Sequence, residues 1–360
     1  MTKIIDITKR VYSGGTPDTR KSEYWNGDIK WLSSGETRNN FIFDTDKKIT
    51  ELGVNNSSTK LASKGSIVMA CAGQGFTRGQ TSYLMDDMYI NQSVICIEPD
   101  DNKVDGLYLY YFFKNNYQLL RSLSNDHSSR GSITTAMIKD FEVNFPDIDI
   151  QKRISNILYS IDQKIELNNK INNNLYKLIK NNYESLINGC NWEEVELGAI
   201  SNITSGKRPF DKSEIGEYPV IGANGIMAYT SDYNFSEDLI ITGRVGTLGV
   251  VKRYLGKIWA SDNTLVIQTK YLNYIENYLK TIDYYSLNRG STQPLLTQGD
   301  LKKQIIYFND ELVTKFEKDN QIFVDKIRNN EKENSKLIQL RDTLLPKLMN
   351  SEINLDNIEI

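Results

Sequence analysis

The sequence predicts an α+β protein in which two β-rich α/β domains are separated by two long helices that form an antiparallel coiled coil. Three observations lead to this fold class: an internal repeat, a change of composition after each copy of the repeat, and heptad spacing in the segments that follow. With 360 residues, of which 39% are hydrophobic, the chain is long enough for two cores of ordinary size.

The repeat is visible as three short motifs that recur in the same order. Residues 13–17 (SGGTP) reappear as residues 205–209 (SGKRP), and Arg130-Gly131-Ser132 reappears as Arg289-Gly290-Ser291. Between them, an apolar run at residues 67–71 corresponds to one at 239–243, each followed by a glycine-rich loop. The ends of the two copies agree while their middles differ in length. We therefore expect one shared scaffold that carries divergent loops.

The composition changes after each Arg-Gly-Ser motif. Short β-rich runs with glycine punctuation give way to long stretches of Ile, Leu, Asn, Lys and Glu with few glycines, which are typical of helices. We expect a first domain at residues 1–148, a spacer helix at 149–188, a second domain at 189–309, a second spacer helix at 310–350 and a tail at 351–360.

Both helical segments show the alternating four-and-three spacing of a coiled coil. The seam of the first runs through residues 150–182 and is mostly Ile and Leu, and that of the second runs through residues 316–348. Polar residues interrupt both seams, and we expect Asn168, Asn182, Asn330 and Asn334 to fix the register at some cost in stability. A hairpin that serves only as an oligomerisation stalk is the alternative.

The tyrosines cluster just before each Arg-Gly-Ser motif, at residues 108–111 and 271–285. Stacking on nucleic-acid bases is one interpretation. Their spacing of three, four and seven residues favours the other, an amphipathic helix whose aromatic face packs on a sheet.

The charge balance restricts how the chain could bind nucleic acid. Its 43 Lys and Arg residues against 46 Asp and Glu give a net charge of −3, and neither predicted domain is basic. Because affinity for DNA depends on neutralising phosphates, a binding site must consist of local clusters, or a partner must supply positive charge.

Such clusters occur in loops at matching places in the two copies. These loops combine glycine, small hydroxyls, amides and Arg or Lys, the groups that contact phosphates and base edges. Arg78 and Arg244 are the expected base contacts, since Arg bonds a guanine edge with two hydrogen bonds, as an amide such as Gln74 can bond adenine. Each loop alone could be an ordinary turn, but recurrence favours function. The candidate DNA contacts are Gly14, Thr16, Trp31, Ser34, Gln74, Thr77, Arg78, Ser205, Lys207, Arg208, Asn224, Arg244 and Thr247.

The sequence holds no convincing catalytic or metal-binding motif. Its one histidine, His127, lies in a polar segment, and its three cysteines lack CxxC spacing. Gly206-Lys207 is followed by Arg, so there is no Walker A loop, and residues 144–147 (NFPD) only approximate a DNA-methyltransferase tetrapeptide. A nuclease pattern from Asp18 and residues 46–48 is degenerate and absent from the second copy. No catalytic residue, metal or bound cofactor is therefore expected.

No apolar stretch approaches the ~20 residues needed to cross a bilayer, and the N-terminal residues are charged. We expect a cytoplasmic protein that does not contact the membrane.

Two segments resemble a known family. Residues 149–154 (DIQKRI), after the first domain, and residues 340–348 (LRDTLLPKL), followed by Ser351-Glu352, are similar to those of the specificity subunits of Type I restriction-modification systems. The resemblance implies a non-catalytic protein that binds double-stranded DNA. Residues 1–148 and 189–309 would be target-recognition domains, each reading one half of a bipartite site.

The resemblance also implies partners. Two DNA-methyltransferase (modification) subunits, which bind S-adenosylmethionine, would dock on the helices, and a restriction subunit would add translocation and cleavage that use ATP and Mg²⁺. The helices would form an antiparallel pair with one domain at each end. A helix of about 35 residues is roughly 50 Å long, which corresponds to ~15 base pairs of DNA. A scaffold that binds only proteins through its domains and coiled-coil stalk is the alternative.

Overall fold

The computed structural model describes residues 2–73, 77–125, 131–189, 192–213 and 216–353. The chain divides into two compact units: Met1–Ile165 together with Ser335–Ile360, and Glu166–Asn334. Each unit contains one β-rich domain and a part of each long helix.

Unit 1 is built on two sheets. Its strands are β1 (Thr2–Lys3), β2 (Thr8–Ser13), β3 (Trp25–Leu32), β4 (Phe41–Ile42), β5 (Lys47–Ile49), β6 (Lys60–Ala62), β7 (Ile67–Ala70), β8 (Thr81–Leu84), β9 (Met88–Ile90), β10 (Val94–Pro99) and β11 (Glu142–Val143). The five-stranded sheet has the order β2-β10-β7-β8-β4, the four-stranded sheet has the order β5-β3-β9-β6, and β1 pairs with β11. β7 and β10 are buried along their whole length, as expected for central strands rich in Ile and Val.

The helices of this domain are α1 (Glu51–Asn55), α2 (Gly106–Asn115), α3 (Tyr117–Asn125) and α4 (Thr135–Asp140). The Asp105 carboxylate caps α2 by accepting a hydrogen bond from the Tyr108 amide (2.8 Å). Tyr108, Tyr110 and Tyr111 are buried on this helix. Their burial supports packing in the core over base stacking, but Leu109 is buried as well, so the helix is covered on more than one face and is not amphipathic as the tyrosine spacing predicts.

Unit 2 repeats this plan with fewer strands. They are β12 (Glu193–Glu196), β13 (Asn202–Ser205), β14 (Tyr218–Gly222), β15 (Gly225–Thr230), β16 (Leu239–Gly243), β17 (Lys252–Tyr254), β18 (Trp259–Ala260), β19 (Thr264–Gln268) and β20 (Ile305–Phe308). Its sheets have the orders β13-β19-β16-β17, β15-β14-β18 and β12-β20. The short helices of this domain are α6 (Leu197–Ile200) after β12, α7 (Leu272–Leu279) after β19, and α8 (Gln298–Lys302) before β20. In unit 1 the places of α7 and α8 are taken by α2, after β10, and by α4, before β11.

The strand pairing confirms that the chain contains one domain twice. The order β13-β19-β16-β17 corresponds strand by strand to β2-β10-β7-β8, and β12-β20 corresponds to β1-β11. In the smaller sheets, β3 pairs in parallel with β9 as β14 pairs in parallel with β18. Unit 1 adds β4 and β6 at the sheet edges, which accounts for part of the extra length in the middle of the first copy.

The long helices are α5 (Ile148–Ile187) and α9 (Asp310–Met349), with 40 residues each. Within unit 2, asparagine side chains bond across the seam: Asn182 to Asn320 (2.9 Å), Asn330 to Asn172 (2.7 Å) and Asn168 to Asn334 (2.9 Å). The residue number falls along α5 as it rises along α9, so the helices are antiparallel. This pairing is the coiled coil that the heptads predict.

Within unit 1 the seam holds an ion pair. The Arg341 guanidinium lies 2.7 Å from Asp162 Oδ1, and both side chains are buried. The Tyr111 hydroxyl donates to the other carboxylate oxygen (2.7 Å). Removing one partner would leave an uncompensated buried charge, so the pair specifies which residues meet.

Helix residues complete the core of each domain. Ile154, Leu158 and Leu345 pack into the core beneath the five-stranded sheet of unit 1. Ile179 and Phe316 do the same in unit 2. The helices are therefore part of both domains and not a separate stalk. Among the described residues, no helix has the length and apolar character needed to span a membrane.

Candidate nucleic-acid interface

In unit 1 the loop after β2 is pressed against the end of β9. A Cβ on Gly14 would lie 1.9 Å from the Ile90 carbonyl oxygen, so only glycine fits. The Gly15 amide donates to the same oxygen (3.1 Å). Trp31, 4% exposed, donates its indole N–H to the Gly15 carbonyl oxygen (3.2 Å), and the Thr16 hydroxyl bonds to the Gln92 side chain. Gly14 and Trp31 thus support the loop, while Thr16 lies at its surface.

The matching loop of unit 2 has the same construction. A Cβ on Gly206 would lie 2.1 Å from the Ser261 carbonyl oxygen, and the Lys207 amide donates to the Ala260 carbonyl oxygen (2.9 Å). The supporting indole comes from Trp259, which donates to the Lys207 carbonyl oxygen (2.7 Å). The sequence analysis did not single out Trp259, because it lies on β18 whereas Trp31 lies on β3.

The polar side chains of this second loop differ in exposure. Ser205 is half-buried and accepts a hydrogen bond from Gln298 (2.8 Å). Lys207 and Arg208 are exposed, and neither forms an ion pair within the described part of the chain. Their charges are available to an anionic partner.

The middle loop of unit 1 packs against Gly131 of the first Arg-Gly-Ser motif. Gln74, a predicted contact, lies outside the described residues. Thr77 is half-buried and its carbonyl oxygen accepts from the Gln80 amide (3.0 Å). Arg78 is only 7% exposed, and its guanidinium lies so close to Gly131 that a Cβ there would be 1.6 Å from Nη1. The glycine of the Arg-Gly-Ser motif therefore makes room for Arg78.

The middle loop of unit 2 is in the equivalent place. The Leu296 amide donates to the Arg244 carbonyl oxygen (2.9 Å), which ties the loop to the segment after the second Arg-Gly-Ser motif. The Arg244 guanidinium donates to the Asp262 carbonyl oxygen (3.2 Å) and is half-buried, while Thr247 is exposed. A Cβ on Gly243 would lie 1.8 Å from the Thr247 carbonyl oxygen, so the loop turns back on itself.

The remaining two candidates lie at strand ends. Ser34 is half-buried at the start of a 3-10 turn, and its carbonyl oxygen accepts from the Thr37 hydroxyl (2.8 Å). Asn224 is exposed in the tight turn between β14 and β15, where Gly225 has φ +127°. Gly243 lies next to Ala223, so the structure brings the Asn224 turn beside the Arg244 loop.

Unit 1 also has a cationic cavity that the sequence analysis missed. It has a volume of ≈ 410 Å³ and is lined by residues that include Arg38, Gln80 and Lys114. The Lys114 ammonium donates to the Asn40 side chain (2.7 Å), and burial lowers the pKa of Lys114 to about 8. A lysine at the end of an aromatic helix gives no signal in the sequence, since its burial depends on the distant Asn40 and Thr37 segments.

Contacts that anchor the helices to the domains were missed as well. The Gln151 side chain of α5 accepts from the Asp105 amide (2.9 Å) at the start of α2. The Glu317 carboxylate of α9 accepts from the amides of Asn273 (3.1 Å) and Tyr274 (2.8 Å) at the start of α7. The resemblance pointed to Gln151 as part of a motif, whereas Glu317 belongs to no motif that the sequence offered, although it also bonds to the start of a domain helix.

In the described ranges, no three or more His, Cys, Asp or Glu side chains are placed to hold a metal ion.

Two copies of one loop-bearing domain, joined by a continuous pair of helices, define a duplicated recognition protein. The chain belongs to the family of the Type I restriction modification DNA specificity domain, whose sequence profile matches residues 2–177 and 190–310. The two matches fall on the two copies of the repeat.

The chain aligns with known proteins, one of them over nearly its whole length and another over less than half of it. It is 27% identical over 410 aligned residues to the Type I restriction enzyme MjaIX specificity subunit of Methanocaldococcus jannaschii, covering 99% of this chain and 94% of that protein. It is 30% identical to the Escherichia coli EcoR124I/EcoR124II specificity subunit over 42% of this chain and 38% of that one. The crystal structure of a Type I restriction-modification S subunit from M. genitalium has the same fold, with a TM-score of 0.60, 17% identity, and coverage of 96% and 95% of the two chains.

Proposed function

We propose that this chain is the DNA sequence-specificity subunit of a Type I restriction-modification complex and binds a bipartite site in double-stranded DNA with one domain per half-site. The observation that carries the proposal is the duplicated domain, whose paired loops present polar and basic side chains at equivalent positions. Family membership supports it, since the profile matches both copies. In this proposal the chain acts as a non-catalytic recognition component, and its relatives are named as specificity subunits of Type I restriction enzymes.

The exposure of the loop residues assigns them different roles. Lys207 and Arg208 contact phosphates, and Arg244 with Thr247 and Asn224 reads base edges in one half-site. Thr16, Ser34, Gln74, Thr77 and Arg78 serve the other half-site. Gly14, Trp31 and Ser205 hold the loops in place from beneath.

The net charge of −3 argues for partners. We expect weak DNA binding by the isolated chain and tight binding once two modification subunits dock on α5 and α9 and contribute their own positive charge. S-adenosylmethionine, ATP and Mg²⁺ belong to the modification and restriction subunits in this proposal, and the complex works on DNA in the cytoplasm.

The test uses the chain co-expressed with the modification subunit. The recognised site is first located by sequencing methylated adenines in cellular DNA, and affinity is then measured by gel shift. Arg78→Ala and Arg244→Ala should each relax one half-site by ~1 to 3 kcal/mol and leave the other unchanged.

Two outcomes would contradict the proposal. Equal weakening of both half-sites by either variant would argue against one reader per half-site. A complex with no more specific affinity than the modification subunit alone would favour the scaffold that binds only proteins.

A further inference from the structure

The most exposed aromatic side chain described in unit 2 is Phe210, with 95% of its surface accessible. It lies in residues 206–213, which we call the Phe210 loop, two residues after Arg208 and three after Lys207, both of them exposed cations. We propose that Phe210 is an apolar wedge that inserts between base pairs of the half-site bound by unit 2. This inference rests on the proposed function and adds a residue to it.

The Phe210 loop is anchored at both ends. At its start, the Gly206 amide donates to the Thr264 carbonyl oxygen (3.1 Å) and the Lys207 amide to Ala260 (2.9 Å). At its end, Ser213 and Tyr229 exchange two backbone hydrogen bonds of 2.9 and 2.8 Å. Both anchors are backbone bonds, so the loop has a defined shape before any ligand arrives.

The residues on either side of Phe210 hold it outward. Pro209 is buried, while the Asp211 carboxylate bonds to the Thr230 hydroxyl and to the amide (3.2 Å) and hydroxyl (3.1 Å) of Ser231. The Phe210 ring meets the Trp259 ring edge-on, with the two centroids 5.7 Å apart. A large apolar side chain held in water by its two neighbours gains no folding energy from burial. Single exposed apolar residues are common on protein surfaces, so the inference of a partner rests on the cations that surround the ring.

The surrounding charge favours DNA as that partner over an apolar protein surface. Lys207, Arg208 and Lys212 are exposed within two to three residues of the ring. The one acidic side chain of the loop, Asp211, is held by the Thr230 and Ser231 hydrogen bonds described above. Cations beside an apolar wedge can bind the phosphates that flank an opened base step, as in proteins that kink DNA with inserted Phe or Leu.

The first copy lacks the wedge at the same position. There the buried proline is Pro17, and Asp18 follows it in place of Phe210. The Asp18 carboxylate pairs with Arg20 (2.8 Å), and its carbonyl oxygen accepts from the Trp25 indole (3.2 Å). A carboxylate does not enter a stack of bases, so base-pair opening should occur in one half-site only.

The test uses the complex with the modification subunit and duplexes that carry 2-aminopurine at successive positions of either half-site other than the methylated adenines, because methyltransferases flip their target base out of the stack. The native complex should increase 2-aminopurine fluorescence in the half-site of unit 2 alone. Phe210→Ala should abolish this increase and weaken binding about 10-fold. Phe210→Trp should bind as tightly as the native complex, unlike Phe210→Ala. The fluorescence of the introduced tryptophan should be quenched when it stacks on the bases.

Salt dependence separates the wedge from its cationic neighbours. Phe210→Ala should leave the slope of log affinity against log salt unchanged, because no phosphate contact is lost. Arg208→Ala should reduce the slope by about 1. Tyr285→Ala is the matched control, since Tyr285 is 93% exposed and has no basic residue within three positions. It should change neither affinity nor fluorescence.

Each other result overturns the wedge. Normal affinity and fluorescence with Phe210→Ala, while the native complex binds its site, would reject the wedge and leave the proposed function intact. If Phe210→Ala prevented assembly with the modification subunit in the absence of DNA, Phe210 would lie in a protein interface and the wedge would be rejected. Failure of the native complex to bind any specific site would reject the proposed function itself.

Discussion

At the scale of single residues, burial separates side chains that look alike in the sequence. Arg78 and Arg208 both follow a glycine-containing loop, yet Arg78 is packed on Gly131 whereas Arg208 extends into solvent. A packed arginine can present a fixed edge to a base, while an exposed one can follow a phosphate at little cost. The two residues suit the two kinds of contact that a DNA reader needs.

The contribution of Lys114 to stability should depend on pH. Burial lowers the pKa of Lys114 from 10.5 to about 8, so between these values the folded state binds fewer protons than the unfolded state. The contribution of Lys114 to stability therefore rises with pH across this window. Below pH 8 the folded domain carries the charge in a desolvated position.

We expect Lys114→Met to stabilise unit 1 at pH 7, with a gain that shrinks as the pH approaches 10.5. Amide hydrogen exchange in β7 and β10 measures this, with the exposed Lys64→Met as the control. A gain that is the same at pH 7 and pH 10 would show that the apolar packing of methionine, and not relief from burying the lysine charge, stabilises the variant.

At the scale of elements, each long helix is tied to the first turn of a domain helix. Gln151 of α5 bonds to the start of α2, and Glu317 of α9 bonds to the start of α7. Helix N termini have amides without intrahelical partners, so an acceptor from a neighbouring helix satisfies them and orients the two helices. Gln151 is a neutral acceptor and Glu317 a charged one, so burying Glu317 costs more desolvation free energy.

Burial raises the pKa of Glu317 despite its hydrogen bonds to Asn273 and Tyr274. The stability that the protonated form contributes is lost as the pH rises through the raised pKa, so the native unit is penalised at neutral pH. Glu317→Gln keeps an acceptor and should match or exceed native stability at pH 7. Glu317→Leu leaves the two amides unsatisfied and should cost about 1 to 3 kcal/mol.

Urea unfolding at pH 5 and pH 7 distinguishes these effects, and the exposed Glu311→Gln serves as the control. Equal loss from Glu317→Gln and Glu317→Leu would show that the charge itself is required at the start of α7.

At the scale of the whole molecule, the helices run unbroken from one unit into the other. Residues up to Ile165 of α5 belong to unit 1 and those from Glu166 to unit 2, and α9 crosses between Asn334 and Ser335. Domain cores include residues of both helices. We therefore propose that helix length sets the spacing between the two half-sites.

Insertion of heptads after Ile165 and after Asn334 tests this proposal, because paired insertions keep the seam in phase. Three heptads in both helices add about 31 Å, roughly nine base pairs and nearly one DNA turn, so binding should shift to half-sites that much farther apart. One heptad adds about 10 Å and rotates the half-sites by roughly 100° around the duplex, which should abolish binding.

Sequencing of methylated adenines in cells that carry each variant gives the spacing directly. An unchanged spacing in the three-heptad variant would contradict the proposal. An insertion in one helix alone should prevent folding and serves as the negative control.

The internal repeat and the heptad spacing can be recognised in the sequence alone. The recurring Ser-Gly and Arg-Gly-Ser motifs were sufficient to predict two copies of one domain. The heptads predicted a helix pair, and the position of the second domain between the two helices predicted that the pair is antiparallel. The heptads arise because a helix buries one face at a constant interval, whereas the recurring motifs arise because one domain is encoded twice. The tyrosine cluster favoured packing over base stacking, and its members on α2 are buried.

The roles of individual loop residues required the tertiary structure. Trp31 lies beneath a loop because Gly15 offers it an acceptor, and Arg78 is covered because Gly131 lies against it. Phe210 is held outward by hydrogen bonds from the neighbouring Asp211 to Thr230 and Ser231 at the end of β15. Exposure and hydrogen bonding depend on contacts between residues far apart in sequence, which local patterns do not encode. The scaffold was therefore readable from the sequence, whereas the recognition surface was decided by packing.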